Sequence, residues 1–244
     1  MHISLENVSK SYLLTRALDS VTLDISPGQI VAIVGANGAG KTTLLRCLAG
    51  LTVPTRGRVL YDAQPFSRTR VDLRRRLCFL PDTPYVVPTM TVARHIGLVL
   101  EAYQITSPGI EDTVLKLLHD FALVSHVESR LGELSKGELY KTGLVAFLAV
   151  DADLWIFDEP FASGMDPPAL AAFRTHVHEA TRRGRTVIYT TQIVELAERL
   201  SDSVLVLREG KNHRLLSTEE LRSGSQDNAA LERIFRDLHE ESGE

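Results

Sequence analysis

Apolar residues form two kinds of pattern along the chain. Short apolar runs, typical of buried strands, occupy residues 3–8, 21–25, 29–34, 57–61, 77–80, 154–157, 186–189 and 204–207. From residue 91 to about 149 the apolar residues recur at helical spacing instead, as at Val114, Leu117 and Leu118. Strands that alternate with helices predict an α/β core with a mostly parallel sheet. We expect a β-rich segment before this core and a helical insertion within it, at about 83–149.

Composition and charge narrow the class of protein. The chain has 244 residues, 44% of them hydrophobic and 24% charged, as in an ordinary globular protein. Its net charge of −4 gives no reason to expect a nucleic-acid partner. The two cysteines, Cys47 and Cys78, lack metal-site spacing, which favours a reduced intracellular compartment. The chain contains no run of 18 apolar residues, so we expect no membrane span.

A basic cluster precedes the strand at 77–80, made up of Arg68, Arg70, Arg74, Arg75 and Arg76. A solvated face is the first interpretation of such a cluster, and contact with a partner or with lipid headgroups is the second.

Residues 35–42 carry the most specific chemistry in the sequence. They read Gly-Ala-Asn-Gly-Ala-Gly-Lys-Thr, which fits the pattern G-x-x-x-x-G-K-[ST] between a strand and a helix, the latter predicted from Thr43 to Ala49. Glycines let the backbone N–H groups face a phosphate chain, and Lys41 adds a charge near the β- and γ-phosphates. The Thr42 hydroxyl is a ligand for Mg²⁺, and the start of the next helix favours anions. The sequence therefore predicts a nucleotide-phosphate site.

Two acids follow the buried run at 154–157. A strand that ends in Asp158 and Glu159 places both carboxylates at the C-terminal edge of the sheet, where α/β proteins bind ligands. Asp158 can hold Mg²⁺ through water, and Glu159 can polarise an attacking water. A strand that ends in acidic residues is common, so the acid pair alone is weak evidence for a nucleotide site. It becomes stronger evidence because a phosphate loop precedes it in the chain.

Residues 134–138, Leu-Ser-Lys-Gly-Glu, lie just before a predicted helix. By local rules Ser135 is an N-cap and Glu138 completes a capping box. The segment also resembles the signature sequence of ABC (ATP-binding cassette) ATPases, and the motifs from residue 2 to 212 follow that family's order. The resemblance implies a P-loop NTPase core with an antiparallel β subdomain and an inserted α-helical subdomain, over residues 1–212. It leaves residues 213–244 as a short helical tail. The tail holds two short helical candidates, one near Glu219 and one from Ala229 to His239.

The resemblance also implies roles for single residues. Tyr12 would stack on adenine, although an ordinary strand-edge tyrosine is the alternative. The phosphates of ATP would be wrapped by Asn37, Gly38, Ala39, Gly40, Lys41, Thr42 and Thr43. Asp158 would be the ligand of the Mg²⁺ water and Glu159 the general base. Ser135 and Gly137 would close over the ATP of a second cassette, and residues 163–166 would link the two sites.

Three positions depart from the family pattern. Asp82 stands where Gln is usual, and its carboxylate is still a hard ligand for Mg²⁺. Lys136 replaces a glycine of the signature and either faces a γ-phosphate or points to solvent. Gln192 replaces the usual switch His and cannot become a cation. Our hypothesis is that Gln192 slows hydrolysis without abolishing it.

The resemblance implies that the protein is the ATP-hydrolysing motor subunit of a transporter, and export-type cassettes are favoured over importers. Its partners would be a second cassette, identical or different, and separate transmembrane permease subunits, with no nucleic acid. The protein would be cytoplasmic and peripheral on the inner face of the cell membrane. Two alternatives stay open: an ATP-gated regulatory or scaffold cassette with weak hydrolysis, and a soluble ABC ATPase outside transport.

Overall fold

The computed structural model describes residues 1–67 and 69–217, which form two sheets with helices around the larger one. In the six-stranded sheet the order is β10-β9-β3-β8-β7-β6. These strands are β3 (Ile30–Val34), β6 (Leu77–Leu80), β7 (Leu154–Phe157), β8 (Thr186–Thr191), β9 (Ser203–Arg208) and β10 (Lys211–Ser217). All neighbours pair in parallel except β9 and β10. The predicted α/β fold class is confirmed.

A four-stranded antiparallel sheet forms the β subdomain, in the order β2-β1-β4-β5. Its strands are β1 (Ile3–Tyr12), β2 (Thr15–Ile25), β4 (Arg56–Tyr61) and β5 (Gln64–Pro65). Ile3, Leu5 and Val8 of β1 are buried, which is the pattern of a strand with one face on a core, interrupted by a register shift between Leu5 and Val8.

The helices are α1 (Lys41–Leu48), the one-turn α2 (Val71–Arg74), α3 (Val92–Tyr103), α4 (Ile110–Asp120), α5 (Lys136–Val150), α6 (Pro167–Arg182) and α7 (Val194–Leu200). α3 and α4 pack on α5, as expected for a helical insertion. Among the helices of the described part, none combines the length and apolar character that a membrane span requires.

The central strands are buried on both faces. Leu154 and Ile156 of β7 join a cluster formed with α1 and the antiparallel sheet, whereas Trp155 and Phe157 join the cluster formed with the other helices. Side chains of a strand alternate between faces, so an unbroken apolar run is the expected sequence of such a strand. The carboxyl ends of β3, β7 and β8 consequently meet at one edge, where the loops that carry the chemistry begin.

Several predicted boundaries differ from the structure. β1 continues to Tyr12 rather than ending at residue 8, and β2 begins at Thr15 rather than at residue 21, because the two strands pair with each other along this length. The helix after the phosphate loop begins at Lys41 rather than Thr43, because Gly40 takes a left-handed conformation and serves as the N-cap. β10 occupies residues 213–217 of the predicted helical tail, because this segment pairs antiparallel with β9 and buries Leu216. The helical candidates near Glu219 and at 229–239 lie outside the described residues.

Candidate nucleotide-binding site

The phosphate loop connects β3 to α1 and can be built only with glycines at its tightest points. A Cβ at Gly35 would lie 2.4 Å from the carbonyl oxygen of Leu207. Gly40 has φ +102°, and a Cβ there would lie 2.5 Å from the carbonyl oxygen of Ala17. Both contacts are with backbone, which cannot move aside cheaply. The loop therefore keeps its shape, with its N–H groups at the start of α1.

Lys41 lies inside this loop and is 7% exposed. Its Nζ donates to the carbonyl oxygens of Gly35, at 2.7 Å, and Ala36, at 3.2 Å. Glu159 Oε1 lies 3.4 Å from the same Nζ. The ammonium is thus held between the loop and the acid at the end of β7, inside the loop that would receive phosphates.

Asp158 and Glu159 follow β7 and are held by the neighbouring strand. Asp158 is 2% exposed, and its Oδ1 accepts a 2.7 Å hydrogen bond from the Thr190 hydroxyl of β8. The same Thr190 oxygen accepts from the backbone N–H of Glu159, at 2.9 Å. Glu159 has a φ of 47°, in the left-handed region. Its backbone is therefore held in an uncommon conformation that turns its carboxylate toward Lys41.

Sequence reasoning missed Thr190 as a functional residue. The available signal was a hydroxyl at the end of a buried strand, at the edge where the acids also lie.

A cavity of about 450 Å³ collects these groups. It is lined by Ala17, residues 36–43, Asp82, Lys136, Asp158, Glu159, Ala162 and Gln192. Of the predicted site residues, it brings together Asn37, Gly38, Ala39, Gly40, Lys41, Thr42, Thr43, Asp82, Asp158, Glu159 and Gln192. Ala17, on β2, lines it without any signal in the sequence.

Tyr12 is not among the residues that line this cavity. It ends β1, is 42% exposed, and has the Lys10 ammonium 5.0 Å from its ring centre. The exposed ring face is compatible with stacking, so its contact with adenine stays a prediction.

Gln192 follows β8 and faces the general-base candidate. Its Nε2 donates to Glu159 Oε1 at 3.5 Å, the long limit of a hydrogen bond. Glu159 Oε1 therefore has an amide and an ammonium as neighbours, and the amide carries no charge.

The donor set suits Mg²⁺. The Thr42 hydroxyl and the carboxylates of Asp82 and Asp158 line one cavity, and all are hard oxygen donors. Within 1–67 and 69–217, no three His, Cys, Asp or Glu residues cluster as a metal cage would require. In nucleotide sites Mg²⁺ usually takes one or two carboxylates from the protein and the rest of its ligands from phosphates and water.

The signature segment has its predicted local structure. The Ser135 side chain accepts from the N–H of Glu138, and Glu138 Oε2 accepts from the N–H of Ser135, so the capping box is complete. Hydrogen bonds from Ser135 hold the pKa of Glu138 below its usual range. A Cβ at Gly137 would lie 2.4 Å from the carbonyl oxygen of Gly164, so this position also requires glycine. Ser135 and Gly137 do not line the cavity of their own chain.

Tyr140 of α5 is a second residue that sequence reasoning missed. Its hydroxyl is buried and has no hydrogen-bond partner among the residues described. Burial raises its pKa well above the ordinary value, and the charges of Asp158, Asp82 and Glu159 raise it further. The hydroxyl is therefore close enough to the acids of the site for their charges to affect its pKa.

Comparison with known proteins gives relatives along nearly the whole chain. The family model described as ABC transporter matches residues 18–162. The ABC-type transporter ATP-binding protein EcsA of Bacillus subtilis (strain 168) is 30% identical over 241 residues, covering 98% of this chain and 97% of the relative. The SkfA peptide export ATP-binding protein SkfE, also of Bacillus subtilis, is 30% identical, with 86% of each chain covered. The Nod factor export ATP-binding protein I of Cupriavidus metallidurans is 31% identical, covering 89% of this chain and 73% of the relative.

Solved structures agree with this result. The ATP-binding subunit of an ABC transporter superposes with a TM-score of 0.90 at 28% identity, covering 98% of this chain and all of the other. A dimeric, post-hydrolysis ATP-binding cassette bound to ADP and Pi superposes with a TM-score of 0.80, covering 88% of this chain and 98% of the other. At 23% identity this second likeness concerns the fold. The matched family model, the relatives and the phosphate loop agree, and the chain belongs to the ABC transporter family as an ATP-binding subunit with the P-loop NTPase fold.

Proposed function

We propose that this chain is the motor of a transporter: it binds ATP with Mg²⁺, pairs with a second cassette, hydrolyses the ATP and drives separate membrane-spanning subunits. The observation that carries the proposal is the single cavity that holds the phosphate loop, Asp158, Glu159 and Gln192 together. A site for binding alone would not need a carboxylate at Glu159, beside the phosphate-binding lysine.

Each residue has a role that follows from its position. Lys41 and the loop N–H groups bind the phosphates, and Thr42, Asp82 and Asp158 would hold Mg²⁺, which neutralises phosphate charge when bound. Glu159 accepts the proton of the water that attacks the γ-phosphate. Gln192 orients that water through its amide, as a glutamine does in some GTPases.

The second cassette completes the site. Ser135 and Gly137 lie at the N-terminus of α5, outside the cavity of their own chain. A helix N-terminus attracts anions, so this face suits the γ-phosphate held by a partner cassette. Either an identical or a related cassette would serve.

A groove beside the helical insertion fits a membrane partner. It has a volume of about 430 Å³, and its lining includes Leu51, Phe79, Tyr85 and Phe147. Tyr85 is 82% exposed and Leu51 is 53% exposed. The groove therefore has exposed large apolar side chains that a permease segment could cover. This partner would hold the chain at the inner face of the membrane.

Export is the direction that the relatives favour. The names of two of them, SkfE and the Nod factor protein, specify export. We extend that direction to this chain as part of the proposal.

A Glu159→Gln variant tests the motor. Removal of the base should leave ATP binding intact and reduce steady-state ATP turnover by at least about 100-fold. Gel filtration with ATP should then show a stable dimer. A variant that stays monomeric with ATP would contradict the closing of two cassettes.

The same assay separates the motor from an ATP-gated scaffold with weak hydrolysis. That alternative stays open because Gln192 is neutral where the family usually has a histidine. A scaffold would show equal, very low turnover with and without Glu159. A turnover that depends on Glu159 supports the motor.

A further inference from the structure

The turn between β9 and β10, at residues 209–210, is hydrogen-bonded to the phosphate loop. We infer that Gly210 of this turn is a positioning residue of the nucleotide site, which holds the second half of the phosphate loop in the conformation that binds phosphates. Gly210 does not line the cavity and belongs to none of the motifs that indicated the site. Its role rests on the proposed ATP site.

Glu209 and Gly210 form a two-residue hairpin turn, which is closed by the pairing of Arg208 with Lys211. Their φ angles, 47° and 76°, are both positive, as a type I′ turn requires. The backbone twist of this turn type matches the twist of the strands that it joins. The two strands therefore fix the position of Gly210 without help from the phosphate loop.

Two backbone hydrogen bonds join Gly210 to the segments on either side of it. Its N–H donates to the carbonyl oxygen of Ala39 in the phosphate loop, at 3.0 Å. Its carbonyl oxygen accepts from the N–H of Asp19 in β2, at 2.8 Å. Beside this second bond, Lys211 Nζ lies 3.5 Å from Asp19 Oδ2. The turn consequently connects the phosphate loop to the antiparallel sheet.

Gly210 is packed too closely against β2 to carry a side chain. A Cβ there would lie 2.6 Å from the carbonyl oxygen of Ala17 and 2.9 Å from Leu18 Cα. The same Ala17 oxygen would lie 2.5 Å from a Cβ at Gly40 of the phosphate loop. One carbonyl group thus packs against a glycine of the turn and a glycine of the loop, so a displaced turn would displace the loop. The loop N–H groups would then lose their alignment toward the phosphates.

A Gly210→Ala variant tests this role. The dissociation constant of Mg–ATP should rise about 10-fold, because the loop is displaced. The turnover number at saturating ATP should stay within about twofold, since Thr190 of β8 holds Asp158 and Glu159 separately. A folded Gly210→Ala variant that binds Mg–ATP as the unaltered chain does would overturn the inference.

The matched control is Gly184→Ala. Gly184 also has a positive φ, +84°, but no atom lies within 4 Å of a Cβ added there. Both variants therefore carry the strain of a side chain in the left-handed region, and only Gly210→Ala adds the contact with β2. Gly184→Ala should lose stability and bind Mg–ATP with unchanged affinity. A tenfold loss of affinity in this control as well would assign the effect to stability and overturn the positioning role.

Amide hydrogen exchange, resolved by NMR, tests the same role in the unaltered chain. Mg–ATP should slow exchange of the Gly210 amide at least about fivefold, together with the amides of residues 36–43, because the Gly210 N–H is bonded to the loop. The control is the Gly184 amide, which donates to the carbonyl oxygen of Thr181 at 2.8 Å and should exchange at the same rate with and without Mg–ATP. Slowed loop amides beside an unchanged Gly210 would overturn the inference. A chain that binds no Mg–ATP at all would instead refute the proposed function.

Discussion

The carboxylate of Glu159 has two polar neighbours of different charge. The Lys41 ammonium lies 3.4 Å from its Oε1, and the Gln192 amide nitrogen 3.5 Å from the same atom. The amide can hold a water by accepting and donating, but it adds no positive field where charge develops on the γ-phosphate. We therefore predict a site that favours binding over fast turnover.

A Gln192→His substitution tests this interpretation. An imidazole beside Glu159 can become a cation near neutral pH, and we expect ATP turnover to rise by about 10-fold. The measurement is steady-state phosphate release at saturating ATP. Gln192→Asn, which keeps the amide and shortens the side chain, is the control and should not raise turnover. A histidine variant with unchanged turnover would show that Gln192 does not limit hydrolysis.

At the residue scale, the sequence predicted most of the side chains that meet in the candidate site but not how they are held. The acids and the phosphate loop could be read because their residue types and order are specific. Thr190 could not, since a threonine in a strand is ordinary and its two hydrogen bonds join residues 31 and 32 positions away. Such long-range partners depend on which strands become neighbours.

Helix α5 packs closely against two segments that adjoin the site. Two of its glycines allow close contacts: a Cβ at Gly137 would lie 2.4 Å from Gly164 O, and one at Gly143 would lie 2.6 Å from a methyl group of Leu80. The helix therefore lies close to the loop after the acids and to the strand that leads to Asp82. Such close packing means that a shift of α5 would move several site residues together.

Replacement of Gly137 by alanine tests this close packing of α5. Gly137→Ala places a methyl group against a carbonyl oxygen and should lower the free energy of unfolding by about 1–3 kcal/mol, a cost typical of overpacking. Urea denaturation followed by circular dichroism measures it. The control is Gly97→Ala in α3, where no atom lies within 4 Å of the new Cβ. That variant should gain about 0.5–1 kcal/mol from helix propensity alone. Equal stabilities of the two variants would show that α5 can move away.

At the scale of elements, hydrophobic pattern predicted the buried strands best. β6 and β7 have the bounds expected from their apolar runs, because strands covered on both faces contain almost no polar residues. β10 was missed because it is an edge strand with the sequence Lys-Asn-His-Arg before its apolar end. β10 pairs with β9 through backbone hydrogen bonds, which do not require an alternating apolar pattern in the sequence.

On the scale of the whole molecule, the six-stranded sheet separates two apolar clusters, each with one cysteine. Cys47 of α1 belongs to the cluster with the antiparallel sheet, and Cys78 of β6 to the cluster with the helical insertion. Burial raises the pKa of Cys47 to about 11 and that of Cys78 to about 12. Both thiols are free and buried, so each reports the opening of one side of the sheet.

Thiol labelling can therefore measure how ATP stabilises the two halves. At pH 8 both cysteines should react with a disulfide reagent only when the fold opens, because the reactive thiolate needs exposure and a pKa near the ambient pH. Mg–ATP at 100 times its dissociation constant adds about 2.7 kcal/mol to the folded state, which should slow global-opening labelling about 100-fold. Cys47→Ala and Cys78→Ala variants let each thiol be followed alone, and Lys41→Ala gives the chain without ATP binding. Cys47 lies near the end of the helix that follows the phosphate loop. If Mg–ATP protected Cys47 and left Cys78 unchanged, the two sides of the sheet would open independently. The free energy of ATP binding would then not stabilise the side of the sheet that carries the helical insertion.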